Sequence, residues 1–291
     1  MLFPFSFIPW VNSHFHVSLY VVYHLKKAYN TAAMKNFDLY FPEMNYSFPM
    51  IFVKGTGDTT YLFGENMTVN IRIRDFFISK YLITQQLWES VMKCNPSAVK
   101  ASNRPVETVS YNDITSEMGF LKNLNELDEI KKDIPTGLTL RLPTETEWEY
   151  AARGGIHWKD KFHFSGSNDI NTVGWYENNA GKIMDPSLLR KLKNTEKGTE
   201  THEVGQKAPN QLGIFDMSGN VWEWCQDYFQ NDVDKMPLDG TPCQVESPER
   251  VLRGGCHHNW AIHCTVYKRY EIAPHAADGC IGFRIAASIN F

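Results

Sequence analysis

The stretch from Arg250 to Arg284 constrains the fold more than any other part of the chain. It opens on a strand-like run, Arg250 to Arg253, continues through a Gly254-Gly255 turn, and closes on a second strand-like run from Gly282 to Ala286. Between these rails neither a helical nor a strand period is sustained. The residues that fill the gap are not those of a packed core. Cys256, His257, His258, Asn259, Trp260, Ile262, His263, Val266, Tyr267, Lys268, Tyr270 and Glu271 are therefore read as a recognition surface between Arg253 and Gly282, because side chains of this kind on loops held by a rigid frame are where binding and chemistry concentrate.

The frame has to come from what precedes. From Phe48 the chain alternates in short runs, PMIFVKG, TTYLFG and VNIRIRDFFISKYLIT, which predict two or three antiparallel strands. Thr84 caps a helix ending before Asn95-Pro96, with Leu87, Trp88 and Val91 on its inner face. Residues 105 to 110 read as a short strand. Asn112 to about Leu127 read as one helix with Ile114, Met118, Leu121 and Leu124 at helical spacing. Leu140 to Pro143 form a strand leading into Thr144 and Glu147, a capping box in which each residue satisfies the other's orphan amide.

Regular pattern then fades from Ile156 to Gln206, and a polar, charge-mixed insert at about 182–202 predicts a mobile surface loop. With no Pro/Gly/Ser linker between halves, the expectation is a single α+β domain over 48–291. It is irregular, with short antiparallel strands, few helices and low regular secondary structure. Residues 1–47 are an N-terminal extension. Residues 1–30 lack the positive start and small-residue cleavage site of a signal peptide, and Pro4, Pro9 and Asn12 interrupt their apolar run. They are too short and too polar for a membrane span, so they read as an interfacial or loosely packed tail, with Met34 an alternative start of translation. The cellular address stays open between cytoplasm and cell surface.

A net charge of -4 gives no basic footprint, which argues against nucleic acid as a partner. The cysteines (Cys94, Cys225, Cys243, Cys256, Cys264 and Cys280) form no CxxC pair and no finger-like spacing with His, so a structural zinc site is not expected. The three in the C-terminal segment are open to a disulfide, a soft-metal site or, by the general habit of free Cys, simple burial.

Asp216-Met217-Ser218-Gly219-Asn220-Val221-Trp222-Glu223 sets two carboxylates around a glycine turn, an arrangement that suits a hard cation such as calcium or a hydrogen-bonded turn. Taken with RLPTETEWEYAARGG before it and RVLRGGC and GFRIA after it, this stretch resembles the formylglycine-generating enzyme (sulfatase-modifying factor) family. FFISKYLITQQLWESVM and PVETVSYND are similar to that family's N-terminal half, so the likeness covers about residues 48 to 287.

The resemblance implies a frame related to the C-type lectin fold and bound calcium. The metal would be held by the side chains of Asp216 and Glu223 and the carbonyls of Gly219 and Val221. A second calcium site would start at Asn179-Ala180. Catalytic members of the family oxidise a substrate cysteine with O₂ through two cysteines that hold Cu(I). Here the second of those positions is Cys264 and the first is Asn259, and an amide cannot replace a thiolate on a soft ion. The chain therefore reads as a non-catalytic module for an unknown protein or small-molecule ligand, with calcium and without copper, similar to relatives that are variable proteins of diversity-generating retroelements. The alternatives are a formylglycine-generating oxidase with altered ligands, in which Cys264 is catalytic, and a related activity on small thiols or histidine derivatives.

Overall fold

The computed structural model describes residues 34–181 and 198–289. The chain divides into two units, Met1–Lys35 and Asn36–Phe291, and the first lies almost wholly outside the described residues, as do the readings made for residues 1–30. The compact unit reaches back to Asn36, ahead of position 48. Strand β1 (Phe37–Phe41) pairs antiparallel with β2 (Tyr46–Val53), Phe37 opposite Met50 and Phe41 opposite Tyr46, and buries Leu39 and Phe41. Its alternation is too short to stand out in sequence, and only β2 reveals its inner face.

Three antiparallel strands join these two to make the principal sheet. β5 (Phe76–Ser79) pairs with β2, and β11 (Ala286–Ile289) lies between β5 and β6 (Leu138–Arg141), giving the order β1-β2-β5-β11-β6. The last strand of the domain is thus clamped on both sides, so what precedes it is anchored at its far end. A hairpin-like pair, β3 (Tyr61–Phe63) and β4 (Val69–Ile71), stands apart. A second sheet runs β10 (Ile281–Gly282), β7 (Trp222–Tyr228), β8 (Arg250–Arg253), β9 (Arg269–Ile272), with β10 parallel to β7 and the other pairs antiparallel. The core joins Tyr61, Phe63, Phe76 and Ile78 to Trp148, Tyr150, Met217, Cys225 and Val251. This is the irregular α+β architecture expected, with short strands, few helices and long connections.

Helix Gln85–Met92 begins where read, its first turn closed by the Thr84 side chain on Leu87 N, and ends at Lys93 in the left-handed region. Helix Glu145–Ala152 carries the full Thr144–Glu147 capping box. The single helix read from Asn112 to Leu127 is instead three pieces, Tyr111–Thr115, Phe120–Glu126 and Asp128–Asp133. Ser116 is extended, and at Gly119 a Cβ would lie 2.8 Å from the Ile114 carbonyl oxygen. Met118 accordingly points to solvent rather than inward. Residues 105–110 form no strand, only an isolated bridge between Pro105 and Thr84. Residues 182–197 of the insert lie outside the described residues, but its end is fixed: Thr199 and Thr201 are buried, and His202 stacks on Trp175 with ring centroids 3.8 Å apart. Among the described residues no helix is long and apolar enough to cross a membrane.

Candidate functional site

The site rests on helix Glu145–Ala152, which is buried on every side. Three glutamates inside a core demand cations, since an unpaired buried carboxylate is prohibitive. Glu147 meets Arg141 at 2.7 Å, Glu149 meets Arg153 at 2.8 Å and Arg253 at 2.7 Å, and Glu145 meets Arg253 at 2.7 Å and Arg269 at 2.6 Å. Burial works to raise the Glu145 carboxyl, but Arg269 and Arg253 outweigh it and hold it below the ordinary range. Arg253 ends β8 and Arg269 begins β9, so the frame helix grips both strands that flank the near half of the recognition segment.

Directly after Arg253 the chain turns at Gly254 and Gly255, both at positive φ. A Cβ on Gly255 would stand 2.6 Å from Cys264 Sγ and 2.7 Å from the His263 carbonyl oxygen, so the returning chain packs on bare backbone. The recognition residues then divide. Trp260 and Ile262 are each 64% exposed, and Tyr270, on edge strand β9, is 47% exposed while stacking on Trp222 at 5.4 Å. His258, Asn259, His263, Lys268 and Glu271 are half-buried. Cys256, His257 and Val266 are fully buried, and Tyr267 packs against the core and against His163. Those four do not belong to a display surface. They are the apolar and hydrogen-bonded underside that holds the loop down, and strand-free sequence carries no period from which to tell the two faces apart.

Under the loop, Cys256, His258 and Cys280 converge. His258 Nδ1 lies 3.3 Å from Cys256 Sγ and 2.6 Å from Cys280 Sγ, and His257 Nε2 is 3.5 Å from Cys280 Sγ. All six cysteines are free thiols. Burial pushes Cys256 up, but hydrogen bonds from Cys280 and His258 together outweigh it and bring the thiol down to about 6, while burial and the Cys256 contact drive Cys280 well above its usual range. His258 is raised because Cys256 more than offsets its burial, and His257 is lowered to about 3, chiefly by burial.

Asn259 and Cys264, the two positions of the copper pair, do different work. Asn259 Oδ1 accepts from Cys256 N at 3.1 Å and its amide N donates to the Cys256 carbonyl, closing a turn. Cys264 is buried beside Phe164, Ile170, Val173 and Tyr176, and burial raises its thiol well above the ordinary value. Cys256, which stands near the pair in sequence, turns to Cys280 and His258 rather than to Cys264 as a substitute ligand.

The loop from Asp216 to Glu223, read from the sequence as a calcium site, is built from strained backbone. Asp216 and Asn220 have positive φ, as does Gly219, where a Cβ would lie 2.1 Å from the Trp175 carbonyl oxygen. Glu223 is held by Arg284 at 2.6 Å and 3.1 Å. Asp216 Oδ2 accepts from Gly205 N at 2.7 Å, whereas its Oδ1 is buried without a hydrogen-bond partner among the described residues. Burial raises the Asp216 carboxyl to about 6 and raises Glu223 as well, against the pull of Arg284. Two buried carboxylates share one guanidinium, and an oxygen is left over: the donor set fits a hard cation, with Arg284 already occupying part of Glu223. At the second expected site the Asn179 side chain closes a turn, accepting from Tyr176 N and donating to the Gly174 carbonyl, and the Ala180 carbonyl lies 2.9 Å from His202 Nε2. Both groups are thus engaged within the frame.

Arg253, Arg269, Arg284 and Cys280 were not among the residues read as functional. The signal for the arginines was present, since acidic runs such as ETEWE have to find cations if they are inside, but burial of that helix is not visible locally.

The sulfatase-modifying factor enzyme 1-like domain model matches residues 49–289. Chaperone protein LppX of Paenibacillus barcinonensis is 36% identical over 210 residues, 64% of this chain and 70% of the relative. The formylglycine-generating enzyme of Thermomonospora curvata is 28% identical over 257 residues, covering 81% and 77%. Among solved structures, Treponema denticola variable protein 1 superposes with a TM-score of 0.68 at 25% identity, covering 87% of this chain and 99% of that one. PvdO from Pseudomonas aeruginosa gives 0.61 at 21% identity over 82% and 94%, a likeness of fold.

Proposed function

Because this chain belongs to the sulfatase-modifying factor enzyme 1-like domain family, we propose that it uses the family's frame as a non-catalytic, protein-recognition module whose contact residues are Trp260, Ile262 and their half-buried neighbours. One observation carries the reading. The position that would supply the first copper thiolate is an asparagine closing a turn, while the adjacent tryptophan and the nearby isoleucine are turned out to solvent. Exposed aromatic anchors beside polar neighbours are the usual makings of a binding hot spot. A protein rather than a small molecule is favoured by the exposed aromatic and apolar side chains of Trp260, Ile262 and Tyr270 and by the relative named as a chaperone.

Calcium belongs to this reading as a frame element. Asp216 and Glu223 would hold it with the carbonyls of Gly219 and Val221. There it would supply the positive charge that Arg284 alone does not provide to the two buried carboxylates.

Two assays test the proposal. Incubated with Cu(I), reductant and a peptide containing Cys-x-Pro-x-Arg, the protein should form no aldehyde; aldehyde that disappears in Cys264→Ser would establish the oxidase reading instead. A protein partner retained from a cell extract should be lost with Trp260→Ala and Ile262→Ala and kept with Met118→Ala, which trims a still more exposed apolar residue elsewhere. Loss in all three variants alike would remove the basis for a specific surface.

A further inference from the structure

We propose that Cys256, His258 and Cys280 form a binding site for Zn²⁺ that ties the two ends of the recognition loop together. The three residues are separated in sequence by a spacing that matches no zinc motif, which is why none was expected. In space their ligand atoms all lie within 4.8 Å of one another. Zn–S distances of about 2.3 Å and Zn–N distances of about 2.0–2.1 Å set tetrahedral S···N edges at roughly 3.6 Å. The observed edges, 3.3 Å from Cys256 Sγ and 2.6 Å from Cys280 Sγ to His258 Nδ1, are both shorter than this, so the cluster opens by about 0.3 Å at Cys256 and about 1 Å at Cys280 to accept the ion. A further nitrogen, His257 Nε2, stands 3.5 Å from Cys280 Sγ, and Thr199 Oγ1 lies 3.0 Å from His257 Nδ1, the arrangement by which an outer partner orients an imidazole donor.

The site is built on rigid parts. Cys256 follows the glycine turn at the end of β8, its N–H held by Asn259 Oδ1. Cys280 immediately precedes β10, its N–H held by Asp278 Oδ1 and its carbonyl accepting from Trp222 N at 2.7 Å. Both thiols are buried and His258 is half-buried, so an ion bound there would be largely shielded from solvent. Donor type suits the metal. Two thiolates and an imidazole are a usual donor set for Zn²⁺, and the two thiolate charges neutralise it. Calcium is excluded by its preference for oxygen. Binding would displace the thiol protons to solvent and form two Zn–S bonds and one Zn–N bond, with no change of oxidation state. The consequence is a cross-link between residues 256 and 280 on either side of Trp260 and Ile262, so the display residues would sit on a closed loop. This site shares no ligand with the calcium loop and does not depend on the function proposed above.

The test uses the full chain in reductant with excess Ca²⁺, so that calcium chemistry is held constant. The wild type should take up one Zn²⁺ per chain by elemental analysis, and the Co²⁺-loaded protein should show thiolate-to-cobalt charge-transfer absorption. Cys280→Ser and His258→Asn should each weaken Zn²⁺ binding by more than about tenfold, while Cys94→Ser, at an exposed cysteine elsewhere, should leave it unchanged. Should Cys280→Ser fail to fold, the half-buried His258 position carries the comparison. Folded wild type that binds neither Zn²⁺ nor Co²⁺, or binds them equally in His258→Asn, overturns the proposal.

Discussion

Helix Glu145–Ala152 and the loop it supports invert the usual placement of side chains. The helix carries its charges inside, each glutamate locked to arginine, whereas the loop carries a tryptophan and an isoleucine outside. The frame is specified by directional, buried ion pairs, whereas the loop tip carries side chains that are largely exposed. The contrast teaches that the ion-pair web is what permits an irregular loop, because β8 and β9 are both gripped by the helix beneath them through Arg253 and Arg269.

The largest break in that comparison should come from Arg253→Met. Leaving Glu145 and Glu149 short of a partner in the core costs about 3–5 kcal/mol, visible in chemical denaturation and as a fall in Tm of about 6–20 °C at about 2–4 °C per kcal/mol. A change below about 1 kcal/mol would mean that the web is not what holds the frame. Calcium comes next. Saturation at about a hundred times Kd adds about 2.7 kcal/mol, an increment that chelation should remove from the wild type and that should be missing in Asp216→Ala, as read by Tm with and without added Ca²⁺.

A pH-dependent effect is expected at Asp227, which accepts from Glu145 N and Cys243 N at the foot of the same helix. Burial, then the Glu145 charge, pushes its carboxyl up from 3.8 to about 7. The folded state therefore favours the protonated form. This group's contribution is fully present below about pH 4 and is lost as pH rises toward 7. Asp227→Asn gives up one acceptor at every pH but cannot titrate, so its stability relative to the wild type should rise steadily from pH 4 to pH 7.5. A difference that stays flat over that range would show that Asp227 is charged throughout. At the small end, Tyr267→Ala should cost about 1 kcal/mol or more because the ring packs on the core, whereas Trp260→Ala should stay within about 0.5 kcal/mol.

How far the sequence announces this molecule depends on how local each signal is. The Thr84 and Thr144 helix starts were legible because a cap is a contact over three residues. The break after Thr115 was not, since apolar spacing ran on through Met118 while Gly119 and the extended Ser116 ended the helix. The loop between Arg253 and Gly282 stands out by its lack of period, yet its buried half, Cys256, His257 and Val266, is separated from its exposed half only by what lies beneath it. Cys256 and Cys280 meet across a loop, and the glutamates at 145 and 149 meet Arg253 from another sheet. Such pairings depend on topology, which no window of residues contains.

Frame and loop tip should be energetically separate. The most direct test is the unfolding free energy of the double variant Trp260→Ser, Ile262→Ser, measured by chemical denaturation beside Arg253→Met. The account predicts that the double variant stays within about 1 kcal/mol of the wild type, two surface changes of about 0.5 kcal/mol each, while Arg253→Met loses several times as much. A double variant destabilised as strongly as Arg253→Met would contradict it and make the loop part of the core.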